Sequence, residues 1–194
     1  MFARLFRVGA VHVDQAVHLQ LVGYARQMPF EEHHLEGIPG AVLQHWAISC
    51  AERQLSVYEA AFAGDGSARE VISVSRAWAD DPDSTRSETA ARMHLVTAGL
   101  KAQGPAFRAG QAVLDAESAV LSGGGSHFAC RAANHAALAS PDPDAEFDYQ
   151  VKLLAEMMST HSSVAELEVA SALLRDGWEG TLQDALDIAR TAIQ

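Results

Sequence analysis

The nine histidines and two cysteines are the side chains of this 194-residue chain best suited to chemistry. Their densest cluster is His127-Phe-Ala-Cys130-Arg-Ala-Ala-Asn134-His135. Helical spacing puts His127, Cys130 and Asn134 on one face and Phe128, Ala132 and His135 on another. A histidine beside a thiol near a helix N-terminus can lower the thiol pKa and make a nucleophile. The plainer reading is that Cys130 packs as a small hydrophobe and His135 is a core imidazole bonded to a backbone carbonyl.

A second constellation involves four elements of charge. Trp46, Cys50, Val57 and Ala61 fall along one face of a helix read over 41–62, on which Glu52 and Glu59 stand two turns apart. With Arg76 and His94 from neighbouring helices these carboxylates would line a polar pocket. In an enzyme, Glu59, His94 and His135 would be the acid–base groups. In a binding protein Trp46, Glu52, Arg76, His127, Cys130 and Asn134 would contact the ligand. Charges on a helix are also simply its solvated side.

Glu31-Glu-His-His34 supplies the Glu-x-x-His spacing of helical di-iron sites, which need two such pairs and carboxylates from two further helices. Here the pair is half of that signature and lies in the irregular stretch Met28–Gly40, so no metal and no other cofactor is expected, and a metal-dependent oxygenase or hydrolase using Glu31, His33 and His34 ranks third among the readings. Loops of that kind often carry function. A Walker loop, a Gly-x-Ser-x-Gly elbow and a dinucleotide fingerprint are all missing from the sequence, and the Gly123–Gly125 run has neither a preceding strand nor a following lysine to cradle phosphate.

These residues must be held by helices. Alanine, leucine, glutamate and arginine dominate, and no alternating β-branched pattern occurs. Ser67-Ala-Arg-Glu70, Thr85-Arg-Ser-Glu88 and Ser163-Val-Ala-Glu166 read as capping boxes, with Thr181-Leu-Gln-Asp184 as a related device. Gly104-Pro105 opens another helix. About nine helices follow: near 8–27, 41–62, 67–79, 85–103, 105–121, 126–139, 144–160, 163–175 and 181–193. Apolar stripes recur within them, among them Leu182/Leu186/Ala189/Ile193, Phe147/Val151/Leu154/Met158 and Met93/Val96/Leu100. The expectation is one all-α domain over 1–194, a multi-helical bundle.

Fourteen Lys+Arg against 25 Asp+Glu leave a net charge of −11, with 48% hydrophobic residues. That balance argues against disorder and against a nucleic-acid partner, and it favours a basic protein or a cationic ligand. The apolar runs fall short of the roughly 20 residues that span a bilayer. The start, MFARLFRVGAVHVDQ, meets His12 and Asp14 before a signal-peptide core could form, so a cytoplasmic chain with two reduced, buried thiols is expected. A homodimer through a leftover stripe such as 181–193 stays open.

From Trp46 onward the sequence resembles a known family. Trp46-Ala-Ile-Ser-Cys50-Ala-Glu52-Arg, Tyr58-Glu59, Arg69 and Ser75-Arg76-Ala-Trp78-Ala79 are similar to segments of small helical actinobacterial proteins named as immunity proteins, and in places as an exonuclease subunit. Ala90-Ala-Arg-Met-His94 and Arg131-Ala-Ala-Asn134-His135-Ala136 look like that family's two alanine-flanked histidine segments, and Tyr149-Gln-Val-Lys152 like its later helix. The likeness covers about 46–152, with Ala68 where the family tends to have proline and Asn134 where it tends to have glycine. The resemblance implies an all-helical protein that binds a partner such as a toxin, with Glu52, Glu59, Arg76, His94 and His135 as the matching polar positions. The leading expectation is therefore a binding protein of the immunity or resistance type, neutralising a basic toxin or sequestering a small organic molecule. The alternative is a cofactor-independent enzyme of specialised metabolism.

Overall fold

The computed structural model describes residues 30–81, 83–84, 90–99 and 101–193. The helix expected over 8–27, with His12 and His18, and the Thr85–Glu88 box lie outside the described residues. Among the described residues the fold is all-α, with nine α-helices and no strand. A short 3-10 turn (Glu32–Leu35) precedes α1 (Gly40–Arg53), α2 (Leu55–Ala61), α3 (Ser67–Asp80), α4 (Ala90–Gly99) and α5 (Gly104–Leu121). Then come α6 (Ser126–Ala139), α7 (Pro143–Met157), α8 (Val164–Arg175) and α9 (Leu182–Ile193). No described helix is long and apolar enough to cross a membrane.

Local side-chain chemistry sets the starts of the last two helices. The Ser163 hydroxyl accepts from the Glu166 N–H at 3.3 Å while Glu166 Oε2 accepts from the Ser163 N–H at 2.7 Å. Thr181 and Asp184 exchange the same two bonds at 3.1 and 3.0 Å. Each pair satisfies two backbone donors that the first turn leaves open. At α3 the expected box is replaced: Ser67 is the first helical residue, and its N–H goes to Asp65 Oδ1 at 2.9 Å.

Tertiary contacts correct two other expectations. The helix read over 41–62 is broken at Gln54, which has φ −99° and ψ 3°. Before the break Arg53 is held by Glu146 of α7 at 3.1 Å and lies 3.6 Å over the Tyr149 ring; beyond it the buried Tyr58 ring meets Gly110 of α5. No proline or glycine marks that break. On α4 the buried face is Ala91, Leu95 and Gly99, so Met93, placed in the apolar stripe, is 64% exposed. Ile193 likewise ends its stripe in solvent.

The core is centred on α5 and α6, which pack on each other and are both lined with buried alanines: Ala109, Ala112, Ala116 and Ala119 on the first, Ala129, Ala132, Ala133 and Ala136 on the second. Small side chains let two helices approach closely, toward the ~8 Å end of the usual interaxial range. α1 packs on both of them. Its start crosses the α5–α6 turn so tightly that a Cβ on Gly124 would collide with the Gly40 carbonyl oxygen, and one on Gly40 with that of Gly123. The glycine run therefore serves a backbone crossing, with Gly124 at φ +94°. Phe30, also buried, packs edge-on to Trp46 at 5.0 Å and against Phe147 at 4.6 Å. That aromatic anchor brings the segment 30–36 onto α6.

Candidate functional site

The segment and α6 flank an open pocket of about 590 Å³, lined by Phe30, Glu31, Glu32, His33, Glu36, His127, Cys130, Arg131 and Asn134. Two sequence candidates a hundred residues apart thus meet: the carboxylate–histidine loop forms one wall and the His127/Cys130/Asn134 face the other. Their junction is a reciprocal amide clamp. Phe30 N–H donates to Asn134 Oδ1 at 3.1 Å, and Asn134 Nδ2 donates to the Phe30 carbonyl at 2.8 Å. The Cys130 thiol donates to that same carbonyl at 3.0 Å. Burial, with Glu32 and Glu31 adding to it, pushes the Cys130 thiol up to about 12. It is a hydrogen-bond donor, and the nucleophile considered for His127–Cys130 is absent from this geometry. His127 Nδ1 instead meets Glu32 Oε1 at 2.6 Å across the mouth.

The rim is acidic. Glu32 is taken by His127, and Glu31 Oε2 lies 3.5 Å from His33 Nδ1. Glu36 is exposed, lines the pocket and has no side-chain partner among the described residues. The segment is held from behind by His34, which is 1% exposed. Its Nδ1 accepts the Glu31 N–H at 3.0 Å, and its Nε2 bonds the Trp178 carbonyl of the α8–α9 connection at 2.8 Å. Burial holds the His34 pKa below the usual imidazole value, with the neighbouring His33 contributing in the same direction. No group of three or more His, Cys, Asp or Glu among the described residues is arranged to hold a metal ion.

Behind Arg131 lies an ionic layer that the sequence reading did not single out. Arg131 Nη2 is 3.3 Å from Asp115 Oδ1, and His135 Nε2 is 3.6 Å from Asp115 Oδ2. Two residues along α5, and so on the other side of that helix, the fully buried Glu117 takes Arg92 of α4 at 2.5 Å. Burial drives Asp115 up to about 6, against the pull of Arg131. The same burial, with Arg108 and Arg131 nearby, drives His135 down to about 4. Two carboxylates, Asp115 and Glu117, inside the alanine-rich helix expected over 105–121 were the available sequence signal.

The remaining candidates are dispersed. Trp46 is fully buried and donates from Nε1 to the Gln150 carbonyl at 3.0 Å, so it supports the pocket from beneath Phe30 without lining it. Glu52 pairs with Arg76 at 2.5 Å, and Glu59 with Arg69 at 2.8 Å. Arg76 borders a smaller, mostly apolar cleft of about 360 Å³ with His45, Ser49 and Met157. His94 is exposed on α4, where its charge acts on Asp65. Glu59, His94 and His135 therefore occupy three different environments: a surface ion pair, an open helix face and a buried layer. No protein-family model, no curated protein and no solved structure matches the chain.

Proposed function

We propose that the chain is a binding protein of the immunity or resistance type, which captures a cationic group in the pocket between the segment 30–36 and α6. A lysine or arginine side chain of a basic toxin, or the amine of a small organic molecule, has the required charge. The observation that carries this reading is Glu36, a carboxylate on the pocket wall without a side-chain partner among the described residues, beside Glu31 and Glu32. The pocket volume suits a guest of small-molecule size, for which ~300–1,000 Å³ is usual. A net charge of −11 would speed encounter with a basic partner and make it salt-dependent. The resemblance read from the sequence over 46–152 implies the same class.

Calorimetry with spermidine and with an Arg-Gly-Arg peptide tests it. Binding should weaken about tenfold in Glu36→Gln, which corresponds to ~1.4 kcal/mol, and should fall as salt is raised. Equal affinity in wild type and Glu36→Gln, or no binding of either probe at low salt, would refute the assignment. The enzymatic alternative draws its support from Asp115 and His135, since perturbed buried pairs cluster at active sites. It requires a substrate whose turnover His135→Gln abolishes while the helical fold survives.

A further inference from the structure

We infer that His34 is an acid-sensitive latch on this pocket: taking up a proton unseats the segment 30–36 and with it the three rim carboxylates. The regulatory meaning rests on the binding reading above; the latch itself rests on hydrogen-bond geometry. The Glu31 N–H can only donate, so Nδ1 of His34 must present a lone pair. The Trp178 carbonyl can only accept, so Nε2 must carry the hydrogen. One neutral tautomer satisfies both partners, and it is the only protonation state that does. An imidazolium would set two N–H groups against each other across the 3.0 Å separation between Glu31 N and Nδ1. At 1% exposure the ring could not be hydrated in place.

The charges around the ring do not rescue the protonated form. Glu31 on the same segment favours it and His33 opposes it, while burial outweighs both. From α6, the helix packed on the segment, come His127, already on Glu32, and Arg131, already on Asp115. The α8–α9 connection brings the Trp178 carbonyl, which His33 Nε2 also approaches at 3.3 Å, with Glu179 next in the chain. Protonation is accommodated by releasing the Glu31 N–H bond, which frees the turn carrying Glu31, Glu32 and Glu36. A guest held by those carboxylates leaves as pH falls.

Amide hydrogen exchange on the full chain at pH 7 and pH 5, corrected for intrinsic rates, reads the latch without any ligand. An imidazole that titrates near 6.5 only in the open form raises opening by at most about 25-fold over that interval. Protection over 30–38 should drop by a factor approaching that ceiling while α5 stays protected. His34→Gln keeps a distal N–H for Trp178 and cannot titrate, so its protection should not follow pH. His33→Gln and His127→Gln should retain the wild-type response. Unchanged protection in wild type, or the same response in His34→Gln, overturns the latch. If His34→Gln does not fold, ring nitrogen shifts of wild type decide: loss of protection while His34 stays neutral refutes the proposal. Spermidine affinity at pH 7.5 is read separately, and its absence would remove the binding reading while leaving the latch standing.

Discussion

Asn134→Ala isolates the junction on which the pocket depends. Asn134 is 2% exposed and exchanges two hydrogen bonds with the Phe30 backbone, at 2.8 and 3.1 Å. Each such bond contributes a net ~1 kcal/mol, and a buried donor left unsatisfied costs ~1–3 kcal/mol. The Phe30 carbonyl keeps the Cys130 thiol, whereas the Phe30 N–H loses Asn134, the partner it has in the structure. The variant should therefore lose about 2–4 kcal/mol of stability. Urea unfolding is a suitable assay: with a slope near 2 kcal/mol/M, the midpoint should fall by about 1–2 M. Asn134→Asp sharpens the test, because it keeps an acceptor for the N–H but faces the Phe30 carbonyl with a carboxylate oxygen. It should be at least as damaging at pH 7. It should recover, relative to wild type at the same pH, as acidification lets the carboxyl protonate and donate. A loss below 0.5 kcal/mol in Asn134→Ala, or an Asn134→Asp variant that fares better at pH 7 than at pH 5, would refute the clamp.

The Asp115–His135 pair makes a signed prediction. Asp115 titrates near 6 when folded and near 3.8 otherwise, so the folded state holds the extra proton and this group adds stability as pH falls from 6 toward 4. His135 runs the opposite way, near 4 folded against 6.5, and removes stability as pH falls from 6.5 toward 4. Each contribution is about 3 kcal/mol, and the two nearly offset. Asp115→Asn should become acid-sensitive by about that amount, and His135→Gln should move the other way; denaturation profiles that both track wild type between pH 7 and pH 4 would exclude the coupling. The thiols offer a simpler check. Both Cys50 and Cys130 are buried and their pKa values are raised by burial, so a disulfide reagent at pH 8 should label neither until denaturant is added. Fast labelling of Cys130 in the native protein would reopen the nucleophile.

Much of this architecture was legible one helix at a time. Ser163 with Glu166 and Thr181 with Asp184 announce helix starts because each bond closes within three residues. Leu182, Leu186 and Ala189 bury as their spacing requires, since a helix turns by the same angle wherever it packs. That His127, Cys130 and Asn134 share a face follows from the same arithmetic. What lies opposite that face does not, because the Phe30–Asn134 clamp joins residues 104 apart.

Tertiary structure alone decided which charges are chemistry and which are surface. Glu52 and Asp115 are both carboxylates on helices, yet Glu52 meets Arg76 in solvent and Asp115 is buried beside Arg131 and His135. The break at Gln54 and the glycine crossing at Gly40 and Gly124 have the same origin. Sequence periodicity fixes each helix's own apolar stripe, so the chain by itself determined an acidic, all-helical protein. The choice of neighbour for each face, and hence the pocket, depends on how unlike segments fill a common interior, and no local spacing encodes that.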